Sequence, residues 1–249
     1  MKKSIIAPVI VIYMLIASSA LAEDLILFDD FEAYDLDSHP KGWTADDANL
    51  MAVVNDPVKS GEKSLKIDCR TDERDVWFEF GREVQVVTVE FWIFPSTASR
   101  TLSLLLLNGS VDRANAGPYM GWGMPTAGSI GRYAGGGWGS TGVKFNGEEW
   151  TYVKVVADAT RSPKSFDFYL GEDPDKLPAE PQGKNIPYRN TGLSAFDRIL
   201  FLGWGDVVGE GYVDDVLIYE GTKRPAGIGK ISVEPMGKMA IRWGKMKIK

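Results

Sequence analysis

The chain has 249 residues, with 28 basic and 34 acidic side chains, a formal net charge of −6, one cysteine and one histidine. A single cysteine excludes an intramolecular disulfide, and one residue each of Cys and His excludes a zinc site built from those ligands. The tail from residue 223 to 249 holds eight basic residues and one glutamate, which leaves a net charge of −15 on residues 23–222. So acidic a surface repels nucleic acid and excludes it as a partner.

The first 22 residues have the pattern of a signal peptide. Lys2 and Lys3 are followed by an apolar run over 5–16 and by small residues at Ala20 and Ala22. The run is shorter than the ~20 residues that span a bilayer, so secretion is favoured over a membrane anchor, and no later segment is predicted to span. We expect cleavage before Glu23 and export by a bacterium to the periplasm, the cell surface or the outside.

After the signal peptide, alternating or continuous apolar runs predict β-strands and no long helix. These strands are expected at 25–31, 64–69, 76–80, 84–94, 101–107, 150–157, 166–170, 199–204 and 213–219. Short strands at such intervals, without crossover helices, predict an all-β fold, an antiparallel two-sheet jelly-roll sandwich. Residues 23–222 are expected to form this domain. The basic tail, 223–249, is either disordered, packed on the domain or a sorting signal.

A segment with eleven glycines, 117–147, lies between the predicted strands and is expected to form loops that present aromatic rings. Pyranose rings have an apolar face that stacks on such rings. The candidate ligand-binding residues are Tyr119, Trp122, Tyr133 and Trp138. The alternative is that these rings fill the core, since large aromatic side chains are usually buried.

Acidic residues in the first and last predicted strands suggest a metal site. Strands tolerate aspartate poorly, and Ca²⁺ takes six to eight oxygen ligands. Consecutive strand residues point to opposite faces, so Asp214 and Asp215 can both reach one ion only if the strand bulges. Alternatively, these acids begin strands, accept backbone hydrogen bonds or pair with Lys63 and Arg82. The candidate ligands are Asp30, Glu32, Asp214 and Asp215, with main-chain carbonyls of the turn at 60–63.

No catalytic set is evident. The single histidine, His39, lies beside Pro40 in a polar turn, and no strand carries carboxylates at alternate positions in the pattern of retaining jelly-roll hydrolases. An enzyme on this fold would need Glu79, Glu90 and Asp167 to line one groove. We therefore assign no catalytic residue.

Several short motifs resemble the concanavalin A-like, laminin G-like jelly-roll domains of bacterial secreted proteins. They are Asp-Phe-Glu-Ala-Tyr at 30–34, Pro-Lys-Gly-Trp at 40–43 and the segments 60–67, 149–158, 166–171 and 211–216. The resemblance implies a two-sheet jelly roll that often binds glycans and often holds Ca²⁺. We expect a secreted, non-catalytic, lectin-like carbohydrate-binding module stabilised by calcium, with an extracellular glycan or polysaccharide as its partner. The alternatives are a glycoside hydrolase or polysaccharide lyase on the same fold, or a structural surface or adhesion domain.

Overall fold

The computed structural model describes residues 24–68, 74–203, 209–226 and 228. These ranges contain fifteen strands, three short 3₁₀ helices and no α-helix, which confirms the all-β prediction. The 3₁₀ helices are Ala48–Leu50, Arg113–Asn115 and Pro174–Lys176. The strands are β1 Leu25–Asp29, β2 Trp43–Ala45, β3 Met51–Val54, β4 Ser64–Ile67, β5 Asp75–Val84, β6 Val86–Pro95, β7 Ser103–Leu107, β8 Tyr119–Trp122, β9 Ser129–Ala134, β10 Gly137–Lys144, β11 Thr151–Asp158, β12 Ser165–Gly171, β13 Gly183–Pro187, β14 Phe196–Leu202 and β15 Gly211–Glu220.

The strands form two antiparallel sheets. The eight-stranded sheet has the order β13-β12-β11-β6-β15-β4-β3, with β1 also paired to β15, and the seven-stranded sheet has the order β10-β9-β8-β7-β14-β5-β2. The first and last strands are therefore neighbours, as the acidic segments at both ends of the domain suggested.

The main core lies between the sheets. Alternate residues of each strand point inward, so Phe91 of β6 meets Phe201 of β14 at a ring-centroid distance of 5.7 Å. Trp122 of β8 packs edge-on against the same Phe91 at 6.2 Å and is completely buried. Large rings from both sheets thus interlock at the centre of the sandwich, where burial of apolar surface stabilises the fold.

Strand β15 has an irregular edge. One side pairs with β6, while the other is shared by β4, opposite residues 211–213, and β1, opposite residues 216–219. The register with β6 shifts between Asp214 and Leu217, and Asp215 has a φ of 49°. Asp214 and Asp215 therefore lie on a bulge at the gap between β1 and β4.

The glycine-rich segment 117–147 was predicted to form loops, and this prediction is wrong. It forms β8, β9 and β10, and some of its glycines provide space rather than flexibility. A Cβ atom on Gly121 would lie 2.8 Å from the Trp138 ring, and one on Gly131 would lie 2.5 Å from the carbonyl oxygen of Met124. Strands can hold glycine where another group crosses close to the backbone.

The predicted signal peptide, 1–22, and all of the predicted tail beyond residue 228 lie outside the described residues. Within the described ranges, no helix is long and apolar enough to cross a membrane.

Candidate functional site

The outer face of the seven-stranded sheet carries a second apolar cluster, separate from the main core. Since Leu104 and Met120 point inward, their strand neighbours Leu105 and Tyr119 point outward. The buried members of the cluster are Leu105, Leu107, Ala116, Tyr119, Leu200 and Leu202, and the partly buried ones are Trp77, Val111, Tyr133 and Trp138. Aromatic rings on the side of a sheet that faces away from the core are the first feature of the candidate site.

Three of these rings form a compact group at one edge of the sheet, which we call the outer aromatic cluster: Tyr119, Tyr133 and Trp138. Their ring centroids lie 5.2–5.4 Å apart, and the Trp138 ring stands at 82° to that of Tyr133 and at 78° to that of Tyr119. Trp138 is the direct cross-strand partner of Tyr133 and lies over Gly121. Packing on three sides fixes the Trp138 ring while leaving it partly exposed.

Arg189 lies over the outer aromatic cluster. Its backbone N–H donates to the carbonyl of Gly117 at 2.9 Å, which anchors the chain beside β8. Its guanidinium carbon is 4.6 Å from the centroid of the Tyr133 ring and 5.5 Å from that of Tyr119, within cation–π distance of both. No carboxylate of the described residues lies within ion-pair distance of this guanidinium.

A shallow depression adjoins Arg189 on the same face. Its lining includes Asp75 of β5 and the loop residues Val111, Asp112 and Arg113. Arg113 pairs with Asp75 at 3.2 Å, while Asp112 accepts the backbone N–H of Ala114 at 2.9 Å and so holds the loop's short helix. The depression is therefore lined mainly by polar and charged side chains, together with Val111 and Ala114.

The four aromatic candidates do not have equal access to a ligand. Trp122 belongs to the main core and Tyr119 is fully buried beneath its neighbours, so the prediction that their rings face a sugar is wrong. Both residues lie on β8. Because the glycine-rich sequence of this segment indicated a loop, it could not be predicted which of its side chains are buried. Tyr133 is partly exposed beneath Arg189, and Trp138 is partly exposed. Whether these two bind a ligand stays a prediction.

The acidic residues at the ends of the domain do come together, around the turn at 59–63. One oxygen of Asp214 accepts the backbone N–H groups of Lys59 and Ser60, both at 3.0 Å, and Asp215 accepts the Ser60 hydroxyl at 3.0 Å. Asp214 and Asp215 were expected to face the same site only if their strand bulges. The structure has this bulge. These side chains fill the gap in the ladder between β1 and β4.

Glu32 contacts the other end of this turn. Its Oε1 accepts the backbone N–H groups of Glu62 and Lys63 at 2.8 and 2.9 Å. A Cβ atom on Gly61 would lie only 2.2 Å from this oxygen and would clash with it. Gly61 has a φ of +62°, so glycine is required here for its conformation and for space. The Lys63 ammonium binds the main-chain carbonyls of Glu32 and Tyr34 instead of a carboxylate.

Charge is poorly compensated in this acidic cluster, which we define as Asp30, Glu32, Asp214 and Asp215. Burial, followed by the charge of Asp215, raises the pKa of Asp214 to about 8, although the N–H groups of Ser60 and Lys59 act in the opposite direction. Burial also raises the pKa of Asp215 to about 6, with further contributions from Asp30 and Glu32. Burial raises the pKa of Asp30 as well.

The fit of these residues to a cation is mixed. Oδ2 of Asp215 is buried and has no hydrogen-bond partner, which suits a cation ligand. Both oxygens of Asp214, however, already accept backbone N–H groups. Within the described residues no three acidic, histidine or cysteine side chains converge as a metal-binding group. A bound ion would therefore depend on Asp215 and on carbonyl oxygens of the 59–63 turn, as Ca²⁺ permits.

The carboxylates required by an enzymatic alternative are separated. Glu79 lies on β5 of the seven-stranded sheet, whereas Glu90 and Asp167 lie on β6 and β12 of the other sheet. They do not line one groove. His39 contacts the carbonyl of Ala48 at 2.5 Å in a surface turn.

Glu90 is the centre of a buried polar network that the sequence pattern did not reveal. It accepts the hydroxyl groups of Tyr152 at 2.5 Å and Tyr219 at 2.7 Å, while Lys154 and Arg224 lie 3.4 Å from its oxygens. Burial, and then the charge of Glu90, raise the pKa values of both tyrosines. Four partners satisfy this carboxylate, which makes it a structural anchor for the start of the C-terminal segment.

Comparisons with known proteins bear on the fold. No protein-family model matches the chain, and no curated protein matches it. Domain 4 of AbnA, an extracellular GH43 arabinanase from Geobacillus stearothermophilus solved in complex with arabinotriose, is similar with a TM-score of 0.50 and 17% identity over 82% of this chain and 96% of that one. The cellulose-induced protein Cip1 is similar with a TM-score of 0.51 and 14% identity over 81% of this chain and all of that one, 100%. At these identities the likeness shows a shared β-sandwich fold.

Proposed function

We propose that residues 23–222 form an exported, non-catalytic, lectin-like carbohydrate-binding module of the concanavalin A-like, laminin G-like jelly-roll type. Its ligand is an extracellular glycan, which it meets in the periplasm, at the cell surface or outside the cell. The observation that carries the proposal is the partly exposed Trp138, held rigidly on the outer face of the seven-stranded sheet. The arabinotriose complex of the similar AbnA domain supports the same ligand class.

The physical argument concerns preorganisation. An indole ring fixed by Tyr119, Tyr133 and Gly121 loses little conformational entropy when a sugar stacks on it. Arg189 contacts Tyr133 beside the ring and supplies donors for sugar hydroxyl groups, and Arg113 and Asp75 line the adjoining depression with further donors and acceptors. An apolar platform with a few polar groups at its side is the usual composition of a small-ligand site.

A broad glycan array probed with the wild-type domain and with Trp138→Ala tests the proposal. We expect binding to one group of related glycans by the wild type and loss of that binding in the variant, with an unchanged melting temperature. Absence of wild-type binding across the array, with or without Ca²⁺, would favour a purely structural surface domain. Release of shortened sugars from a bound glycan would favour the enzymatic alternative.

We also propose that Ca²⁺ stabilises the module at the acidic cluster. Asp215 would hold the ion together with Asp30 and main-chain oxygens of the 59–63 turn, while Asp214 and Glu32 hold the turn itself through its N–H groups. A divalent cation would offset the like charges that raise the pKa values of Asp214 and Asp215. Its role is structural, since the acidic cluster lies on the edge of β15 in the eight-stranded sheet and the outer aromatic cluster lies on the seven-stranded sheet.

A further inference from the structure

The guanidinium of Arg189 is the unusual charged group of the candidate site. Arg113, which lines the same depression, has a carboxylate partner, since its guanidinium lies 3.2 Å from Asp75. Arg189 has tyrosine rings beneath it and no carboxylate of the described residues within ion-pair distance, although Asp75 and Asp112 line the same depression. In a domain with a net charge of −15, an arginine held in place without an acidic partner is a candidate for binding an anion.

The contact with Tyr133 restrains the position of the Arg189 charge. The guanidinium carbon lies 4.6 Å from the Tyr133 ring centroid, and its N–H groups have no carboxylate of the described residues within ion-pair distance, so they can donate to a ligand. A planar fork of N–H donors matches a carboxylate in a bidentate arrangement. Because the side chain is already positioned by the rings and by the bond of its N–H to Gly117, little entropy is lost when a carboxylate binds.

Tyr133 connects Arg189 to the proposed sugar platform. The same ring that lies under the guanidinium is 5.4 Å from the Trp138 ring and is its cross-strand partner. Arg189 and Trp138 therefore contact the same Tyr133 ring, so a glycan stacked on Trp138 would reach Arg189 through a substituent of that sugar or through the next sugar.

We propose that the glycan is acidic, with a sugar carboxylate bound by Arg189 while the ring stacks on Trp138. This inference rests on the proposed function and names its ligand class. The carboxylate is an isolated one on an otherwise neutral stretch of glycan, because the acidic surface of the domain repels a dense polyanion.

The test compares acidic oligosaccharides with their methyl esters, which keep the sugar and remove the charge. Glucuronosyl-xylotriose, galacturonosyl-rhamnose and sialyllactose, each with a single carboxylate and each beside its ester, are titrated into the wild type, Arg189→Gln, Arg189→Lys and the control Arg82→Gln. Arg82 pairs with Glu220 at the surface, and its substitution changes the net charge by the same amount. We expect the wild type to bind at least one acid about tenfold or more tightly than its ester.

In Arg189→Gln the acid and its ester should bind equally, and Arg189→Lys should recover only part of the difference, since lysine lacks the planar fork. Arg82→Gln should retain the full preference. Equal binding of acid and ester by the wild type, or binding of neutral glycans alone, would overturn the inference while leaving the proposed function intact. Absence of binding to any glycan, neutral or acidic, would overturn both.

Discussion

Asp214 accepts the backbone N–H of Ser60 at 3.0 Å across 154 residues of sequence, and so joins the last strand of the sandwich to a turn near its beginning. The bond lies where β15 passes from pairing with β4 to pairing with β1. An N–H group in such a gap has no strand partner, and a buried carboxylate supplies the missing acceptor. The acidic cluster is thus part of the architecture, with or without a metal.

Calcium should raise the stability of the domain. At a free concentration of ~100 times the dissociation constant, Ca²⁺ is expected to stabilise the folded state by about 2.7 kcal/mol, and EDTA should reverse the effect. Asp215→Asn should remove most of this response. Thermal melts of metal-free protein with and without Ca²⁺ provide the measurement, with Asp112→Asn, in the loop between β7 and β8 of the other sheet, as the control. A melting temperature that changes with neither Ca²⁺ nor EDTA would exclude the metal site.

The metal-free domain should lose stability as the pH rises from about 4 to about 8. The folded state holds protons on Asp214 and Asp215, whose pKa values are raised to about 8 and about 6, while the unfolded chain has released them near the ordinary value of 3.8. Folding therefore binds protons in this window, and the free energy of unfolding falls by up to ~1.4 kcal/mol per pH unit for each proton. Urea unfolding at several pH values in EDTA measures this slope, and a stability that rises through the window would refute the assignment.

Alternation of apolar residues made much of the fold predictable from sequence, including β6, β7, β11, β12 and β14. The strands of the glycine-rich segment could not be predicted in this way. Gly121 and Gly131 leave space for the Trp138 ring and the Met124 backbone, and no local sequence pattern indicates that another part of the chain comes so close. The meeting of Glu32 and Asp214 at the 59–63 turn was predicted from the acidic residues at both ends of the domain. The position of Arg189 in the candidate site could not be predicted, since the tyrosine rings that it contacts are brought beneath it only by the tertiary structure.

Substitution by alanine should destabilise the fold far more at Trp122 than at Trp138. Trp122→Ala removes a fully buried ring that packs on Phe91 and is expected to cost ~3 to 5 kcal/mol of stability. Trp138→Ala removes a partly exposed ring and should lower stability much less. Chemical denaturation of the two variants checks this difference. Equal losses would mean that Trp138 is a structural ring of the sheet.

Glu90 should be essential to stability although it lies outside the candidate sites. Glu90→Ala leaves the hydroxyl groups of Tyr152 and Tyr219 and two nearby cations without their acceptor, with an expected cost of ~3 to 5 kcal/mol. The control is Glu79→Ala, which breaks an exposed pair with Arg198 and should cost less than ~1 kcal/mol. The free energies of unfolding of both variants are measured together, and similar losses would contradict the role given to the buried network.

Gly121→Ala probes the position of Trp138 without deleting the ring. The added methyl group would lie 2.8 Å from the indole and from the Ser103 hydroxyl, so the ring must shift. Glycan binding should weaken severalfold while the fold persists. The control is Gly137→Ala, next to Trp138 on the β9–β10 hairpin, where nothing lies within 4 Å of the new Cβ. Unchanged binding in Gly121→Ala, in protein whose Trp138 environment has altered by fluorescence, would argue against a stacking role.

The most direct test of the account is a calorimetric titration of the best array glycan into the wild type, Trp138→Ala and Trp150→Ala. Trp150 is also a partly exposed tryptophan, but it packs on Phe94 at the outer face of the other sheet. The account predicts that Trp138→Ala weakens binding about thirtyfold, the ~2 kcal/mol of an aromatic hot spot, while Trp150→Ala binds as the wild type does. Retention of wild-type affinity in Trp138→Ala, or a loss confined to Trp150→Ala, would contradict it.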